Sequence, residues 1–218
     1  VRAQIPITLD ALGTVTPQAT VTLKPQVGGV LTEVLFTEGQ TVRKGQLLAR
    51  IDPRPYEQAL QQARGQRMRD EAQLEAARVT LARFRTLLGQ DSIARQEVDT
   101  QAALVQQLEG TVTSDKASEA SAALNLEFTR ITAPLAGRIG LRTVDPGNTV
   151  TAGASTGIAV ITRIDPIDVQ FAVPQDRIPD VQEQLRAGRK PAVAVSDRTR
   201  SEVLGQGDDA AHALALGA

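Results

Sequence analysis

The chain has 218 residues, with 24 Lys and Arg against 25 Asp and Glu, a net charge of −1 and only 2% aromatics. That balance gives no electrostatic case for nucleic acid, and single strands would find no aromatic stacking platform. Cysteine is absent, which excludes disulfides, thiolate nucleophiles and Cys-based metal sites, and no run approaches the roughly 18 apolar residues of a membrane span.

The chain opens at Val1 without Met or a signal peptide, as a processed or trimmed product would. Residues 1–19 alternate apolar and polar around Ile5, Ile7 and Leu9, then reach Gly13 and Pro17, which reads as a strand and a turn. Residues 20–24 (TVTLK) predict a second strand. From 27 to 52, short β segments are punctuated by Gly28-Gly29, Glu38-Gly39 and Lys44-Gly45, each placed where a turn needs φ > 0. Pro53 and Pro55 then stop the sheet, and Pro55 suits the first turn of a helix.

Residues 56–88 contain no proline, and Leu74, Ala77, Leu81, Phe84 and Leu88 step by three and four, an apolar stripe of heptad type. Gly89, Gln90, Asp91 and Ser92 interrupt it. The stripe resumes with Val98, Ala102, Val105, Leu108 and Val112 and continues to about Leu126. Two arms of about 33 residues, each roughly 50 Å long, predict an antiparallel coiled-coil hairpin. Thr132-Ala133-Pro134 ends the second arm. Beyond Pro166, residues 167–173 alternate as a strand, 174–187 predict a short helix capped by Gly188, and 191–195 another strand. The alanine-rich tail from Gly207 does not continue the pattern and reads as an irregular end.

The β segments on either side of the helical stretch resemble each other. Gly29, Gly39, Val42 and Gly45 match Gly137, Gly147, Val150 and Gly153 at one constant offset, and Ile51-Asp52-Pro53 meets Ile164-Asp165-Pro166. A duplicated β half-motif is thus split by a helical insert.

No catalytic constellation emerges. The one histidine, His212, lies in the tail; there is no His/Cys/Asp cluster with metal spacing, no Gly-x-x-x-x-Gly-Lys loop and no Gly-x-Ser-x-Gly elbow. Arg64, Arg67, Arg69, Asp70 and Glu71 read as a solvated helix face. At the turn, Arg83 and Leu87 stand four apart on one helix face, ahead of Leu88, Ser92, Ile93 and Ala94. Two readings of these residues stand open: they seal the end of a coiled coil, or they form a docking surface at the end of a lever.

The β unit resembles a biotinyl/lipoyl carrier domain cut at its hairpin, with Ile51-Asp52-Pro53-Arg54-Pro55 before the insert and Ala133-Pro134-Leu135-Ala136-Gly137 after it. The cofactor-bearing lysine of that family is missing, Arg54 and Pro55 standing in its neighbourhood, and a guanidinium is not acylated as an amine is. A lipoyl unit split by a helical hairpin is the arrangement of the periplasmic adaptors, or membrane fusion proteins, of tripartite efflux pumps. The resemblance is to the adaptors that serve RND multidrug transporters. It covers about residues 1–207, through stretches such as LGTVTPQATVTLKPQVGGVL, TEGQTVRKGQLLARIDP and FTRITAPLAGRIGLRTVDPGN.

The resemblance implies an elongated α+β chain. A long antiparallel coiled-coil hairpin (54–128) is inserted in a split lipoyl-like β-domain (20–53 and 129–166), followed by a partial β-barrel domain (167–207) and an irregular tail (208–218). Residues 1–19 would be one strand of a membrane-proximal domain, left unpaired here over 1–16. The resemblance further implies a non-enzymatic adaptor without cofactor, periplasmic and associated with the inner membrane through parts outside this chain. It would be hexameric, with an RND transporter and a TolC-like outer-membrane channel as partners. The partner-binding tip would comprise Arg83, Leu87, Leu88, Ser92, Ile93 and Ala94.

One departure stands out. The family places a serine where Ala94 stands, three residues before Glu97, a capping-box spacing; the expected compensation is that Ser92 or Asp91 caps the second arm one turn earlier. Rival readings are an adaptor of an ABC-type exporter, an adaptor of metal efflux, against which the lack of Met/His clusters argues, and a lipoyl/biotin carrier, which the missing lysine disfavours.

Overall fold

A computed structural model describes residues 12–172, 175–186, 193–196 and 203–207. Ten strands and three α-helices follow in the order β1 (Gly13–Leu23), β2 (Gly29–Val34), β3 (Thr41–Val42), β4 (Leu47–Ile51), α1 (Arg54–Leu88), α2 (Arg95–Phe128), β5 (Arg130–Thr132), β6 (Gly137–Ile139), β7 (Thr149–Val150), β8 (Ala159–Phe171), α3 (Ile178–Arg186), β9 (Val193–Ser196) and β10 (Val203–Gly207). The chain divides into two compact units, Ala19–Arg163 and a second made of Val1–Gln18 with Ile164–Ala218.

Within Ala19–Arg163 the two β copies interlock. One four-stranded sheet runs β5-β4-β2-β7 and the other β1-β8-β6-β3. Gly29 of the first copy therefore pairs with Val150 of the second, and Gly137 of the second with Val42 of the first. The exchange repeats bond by bond. Leu31 N–H donates to Asn148 O and Gly147 N–H to Leu31 O (2.9 and 2.8 Å); Ile139 N–H donates to Gln40 O and Gly39 N–H to Ile139 O (3.0 and 2.9 Å). Each copy so completes the other's sheet, and the core forms where their apolar positions converge. Leu31, Val42, Leu48, Ile51, Ile158 and Ile161 are each fully buried. The corners carry glycine because the backbone demands it: φ is +76° and +80° at Gly39 and Gly45, and +93° and +69° at their counterparts Gly147 and Gly153.

The helical insert leaves from β4 and returns into β5, two strands that pair antiparallel with Arg50 opposite Arg130. Pro53 is the N-cap of α1 and Pro55 lies in its first two positions, where a missing N–H costs nothing. The helices run antiparallel. Gln101 Nε2 donates to Ala77 O (3.0 Å), and Arg78 and Arg64 reach Glu109 and Glu119 (2.6 and 3.0 Å). All ten residues of the predicted stripe lie in one apolar cluster, with Leu74, Ala77, Leu81, Val98, Val105 and Val112 buried.

In the unit formed by Val1–Gln18 and Ile164–Ala218, the first part of β1 lies beside β8, with Thr16 Oγ1 donating to Asp168 O (3.5 Å). Strand β9 pairs antiparallel with β10, and a 3-10 turn, Gln175–Arg177, leads into α3.

Several local expectations are corrected. The turn expected at Gly13 and Pro17 is instead the body of β1, because β1 lies at a sheet edge, where a proline's missing donor is tolerated. The stretch expected to be left unpaired through Thr16 is paired from Gly13 onward. The strand expected over 167–173 is the end of a longer one, since β8 runs from Ala159 through Pro166 to Phe171. Pro174, Ala187, Gly188, Pro191, His212 and the rest of the tail lie outside the described residues.

Candidate partner-docking tip of the helix pair

The turn between the helices is built from backbone hydrogen bonds. Asp91 N–H donates to Leu88 O (3.1 Å) and Ser92 N–H to Leu87 O (2.9 Å), while Asp91 itself has φ +54°. These two bonds around a left-handed residue make a Schellman ending. Aspartate tolerates that conformation better than most residues with a side chain. Gly89, which marks the break in the sequence, keeps a helical φ of −65°.

This turn brings all six predicted tip residues together and divides them by role. Leu88 and Ile93 pack against the end of the apolar cluster, so these two close the seam. Leu87 is half-buried but stands outside that cluster. Arg83, Ser92 and Ala94 are exposed, and Arg83 makes no ion pair among the described residues. The outward surface at the turn therefore includes the unpaired Arg83 guanidinium, one helical turn from the half-exposed Leu87. Such a pair can contribute a charge-assisted hydrogen bond and an apolar contact to a partner.

The expected cap is overturned. Helix α2 begins after Ala94 in an extended conformation and no side chain caps it. Ser92 Oγ donates instead to Gln90 O (3.1 Å), and the left-handed turn at Asp91 commits that residue to ending α1. The first turn of α2 keeps only the acidic Glu97, which favours the positive end of the helix dipole. Ala94→Ser would restore a serine three residues before that glutamate. It should stabilise the chain by about 1 kcal/mol, read as a higher urea midpoint with an unchanged slope.

At the other end of the insert, Arg54 Nε lies 2.9 Å from Asp52 Oδ1 and Arg54 Nη2 lies 2.6 Å from Asp52 Oδ2. These hydrogen bonds from the guanidinium hold the Asp52 carboxyl below the usual aspartate range. The position near which a carrier domain presents its lysine is therefore a closed ion pair at a helix start.

The charged face of α1 is the second correction. Arg64, Arg67, Arg69, Asp70 and Glu71 do not form a plain solvated face: Asp70 is only 3% exposed. Arg67 bridges Glu71 on its own helix and Glu119 on α2 (both 2.6 Å), and Arg64 also reaches Glu119 (3.0 Å). Lys116 of α2 lies 3.5 Å from Glu71. Continuing the stripe backward from Leu74 by four and three gives Asp70 and Arg67. From Val112, three and four more give Asp115 and Glu119. The seam thus passes from an apolar stretch into a polar layer. There Arg69 and Gln66 hydrogen-bond the Asp70 carboxylate (2.9 Å each), and the Arg69 bond leads in lowering its pKa. Asp115, whose Oδ2 is buried without a hydrogen-bond partner, is pushed up first by burial and then by the neighbouring Asp70.

The family model described as RND MFP (membrane fusion protein), barrel-sandwich hybrid domain, matches residues 19–162. The chain belongs to the RND membrane fusion protein family. It is 47% identical over 205 residues to multidrug resistance protein MdtA of Pectobacterium carotovorum, covering 94% of this chain and 50% of that protein. It is 46% identical over 207 residues to MdtA of Escherichia coli strain K12, covering 95% and 50%. The chain spans about half the length of these curated relatives. Among solved structures, a candidate efflux transporter from Bacteroides eggerthii aligns with a TM-score of 0.57 at 27% identity, over 93% of this chain and 59% of that one. MacA from Actinobacillus actinomycetemcomitans shares the fold, with a TM-score of 0.54 at 21% identity over 85% and 61%. No helix among the described residues is long and apolar enough to cross a membrane.

Proposed function

We propose that the chain is the adaptor part of a multidrug efflux pump, joining an inner-membrane RND transporter to a TolC-like outer-membrane channel. The observation that carries this is the outward-facing pair Arg83 and Leu87 at the turn of two long helices. The helices are inserted between the halves of a duplicated β unit, in a chain of the RND membrane fusion family. The MdtA relatives, named for multidrug resistance, support the same reading.

In this reading residues 54–128 act as a coiled-coil hairpin whose tip docks by Arg83, Leu87 and Ser92. Leu88 and Ile93 close the seam beneath them, and Ala94 stands exposed at the start of α2. Residues 20–53 and 129–166 form the split lipoyl-like domain, 167–207 the first part of a β-barrel, and 1–19 a strand of a membrane-proximal domain. The adaptor works in the periplasm, associated with the inner membrane, and assembles as a hexameric collar. It performs no chemistry of its own; it holds a conduit closed between two membranes.

The test is binding of the chain to a purified TolC-type channel, compared with an Arg83→Asp, Leu87→Ser variant. Reversing the charge and removing the apolar contact should weaken binding at least about 30-fold, since two central contacts of this kind commonly carry over 2 kcal/mol between them. Neither residue belongs to the buried cluster, so the helices should keep their circular dichroism. Equal binding by both forms would remove the tip from the interface.

A further inference from the structure

The polar layer of the seam contains an arrangement that ordinary hydrogen bonding leaves incomplete. Asp70 and Asp115 occupy facing seam positions, four residues before Leu74 and three after Val112, in the register that also sets Glu71 beside Lys116. Asp70 is 3% exposed. Its oxygens accept from Arg69 Nε (2.9 Å), from Arg69 Nη2 (3.4 Å) and from Gln66 Nε2 (2.9 Å). Asp115 Oδ2 is buried and has no donor. A carboxylate with a buried, unsatisfied oxygen facing a second carboxylate is strongly disfavoured while both carry charge. A single proton resolves this: placed on Asp115, it turns the orphaned acceptor into a donor aimed at Asp70.

We propose that Asp70 and Asp115 share one proton across the seam, and that this proton sets how closely the two helices approach at that level. With the proton present the pair is a hydrogen bond that draws α1 to α2. Without it, two like charges face each other between the helices, and the polar layer opens to admit water.

The surrounding charges are consistent with a local response. On α1 the facing groups are Arg69, paired to Asp70, and Arg67 and Arg64, paired to Glu71 and Glu119. On α2 they are Lys116, near Glu71, and Glu119, which already binds both Arg64 and Arg67. Of these charged groups Arg69 alone touches the aspartate pair, and one guanidinium offsets one of two negative charges. The sign follows from linkage. A carboxyl that holds its proton more tightly in the folded chain loses stability as pH rises, from the ordinary aspartate value of about 3.9 up to its folded value. Asp70, held ionised by Arg69, works oppositely and only at lower pH.

The inference is independent of what the tip docks onto. Carbon-13 carboxyl titration of the whole chain tests it without any substitution. The expected result is two coupled steps belonging to the pair, one below and one clearly above the ordinary aspartate range of about 3.9. Two independent titrations near that value would overturn the proposal. A second arm uses the lack of native cysteine: nitroxides at Met68→Cys and Ala117→Cys report the spacing of the helices beside the pair. Raising the pH from about 4 to about 8 should lengthen and broaden that distance, and Tm should fall by about 3 °C or more. Asp115→Asn keeps the shape and donates permanently to Asp70, so it should hold the short distance at both pH values. The same lengthening in Asp115→Asn and in the parent, or none in the parent, would refute the shared proton.

Discussion

Replacing Gly137 by alanine should cost about 3 kcal/mol or more. A Cβ at that position would stand 2.5 Å from Thr162 O and 2.9 Å from Thr162 C. Both are backbone atoms of β8, the strand that β6 pairs with at Arg138 and Thr162, so no side chain can swing aside to make room. The methyl can be housed only by parting β6 from β8, which would also disturb the contact of β6 with β3. Gly45→Ala gives the comparison, because there the left-handed φ of +80° is the whole difficulty and nothing lies within 4 Å of the added carbon. That change should cost only about 1–2 kcal/mol. Urea unfolding followed by circular dichroism separates the two. A Gly137→Ala loss no larger than that of Gly45→Ala would mean the sheet yields easily at this point.

Leu31→Ala should destabilise the chain by about 3 kcal/mol, within the 2–5 kcal/mol range for a fully buried leucine. Leu31 is 0% exposed and its backbone is pinned by Asn148 and Gly147 of the other copy. The strand therefore cannot shift to fill the space left by the missing carbons. Leu104→Ala on α2, where the leucine is 41% exposed, should change stability by less than about 0.5 kcal/mol. Similar losses at the two sites would show that the core tolerates a hole, contrary to the bond-for-bond interlock of the two β copies.

Much of this architecture was legible because it follows from periodicity. The glycine and valine matches at one offset correspond to matched corners and to the reciprocal pairs Gly29–Val150 and Gly137–Val42. The apolar stripe gives the contact line of α1 and α2. What stayed hidden was local chemistry that type alone misrepresents. Charge alone marks Arg67 and Asp70 as solvent-facing, although the same three-four step that reaches Leu74 continues through them. The pairing partners that make a buried charge tolerable, Glu119 and Arg69, lie across the seam or on the next residue, and no single-helix pattern points to the first. At the turn, glycine is the usual signal of a left-handed ending, yet Asp91 takes that conformation and Gly89 does not. Once Asp91 and Ser92 are spent on closing α1, neither is left to cap α2. The six residues proposed for the tip come from spacing and resemblance. Their division into two that close the seam and four that face outward or lie beside it depends on how the turn folds, which spacing alone does not carry.

The point of insertion bears on how such a chain can vary in length. Because β4 and β5 already pair side by side with Arg50 opposite Arg130, the polypeptide leaves the sheet and comes back at one address. The sheet registers only that address, not what lies beyond it. Matched additions or deletions of seven residues in each helix would move the turn by about 10.5 Å per step and keep the contact line in phase, while asking nothing of the strands. Reach is in this sense a separately adjustable dimension, and a lineage could change it to suit a longer or shorter gap without re-solving its core.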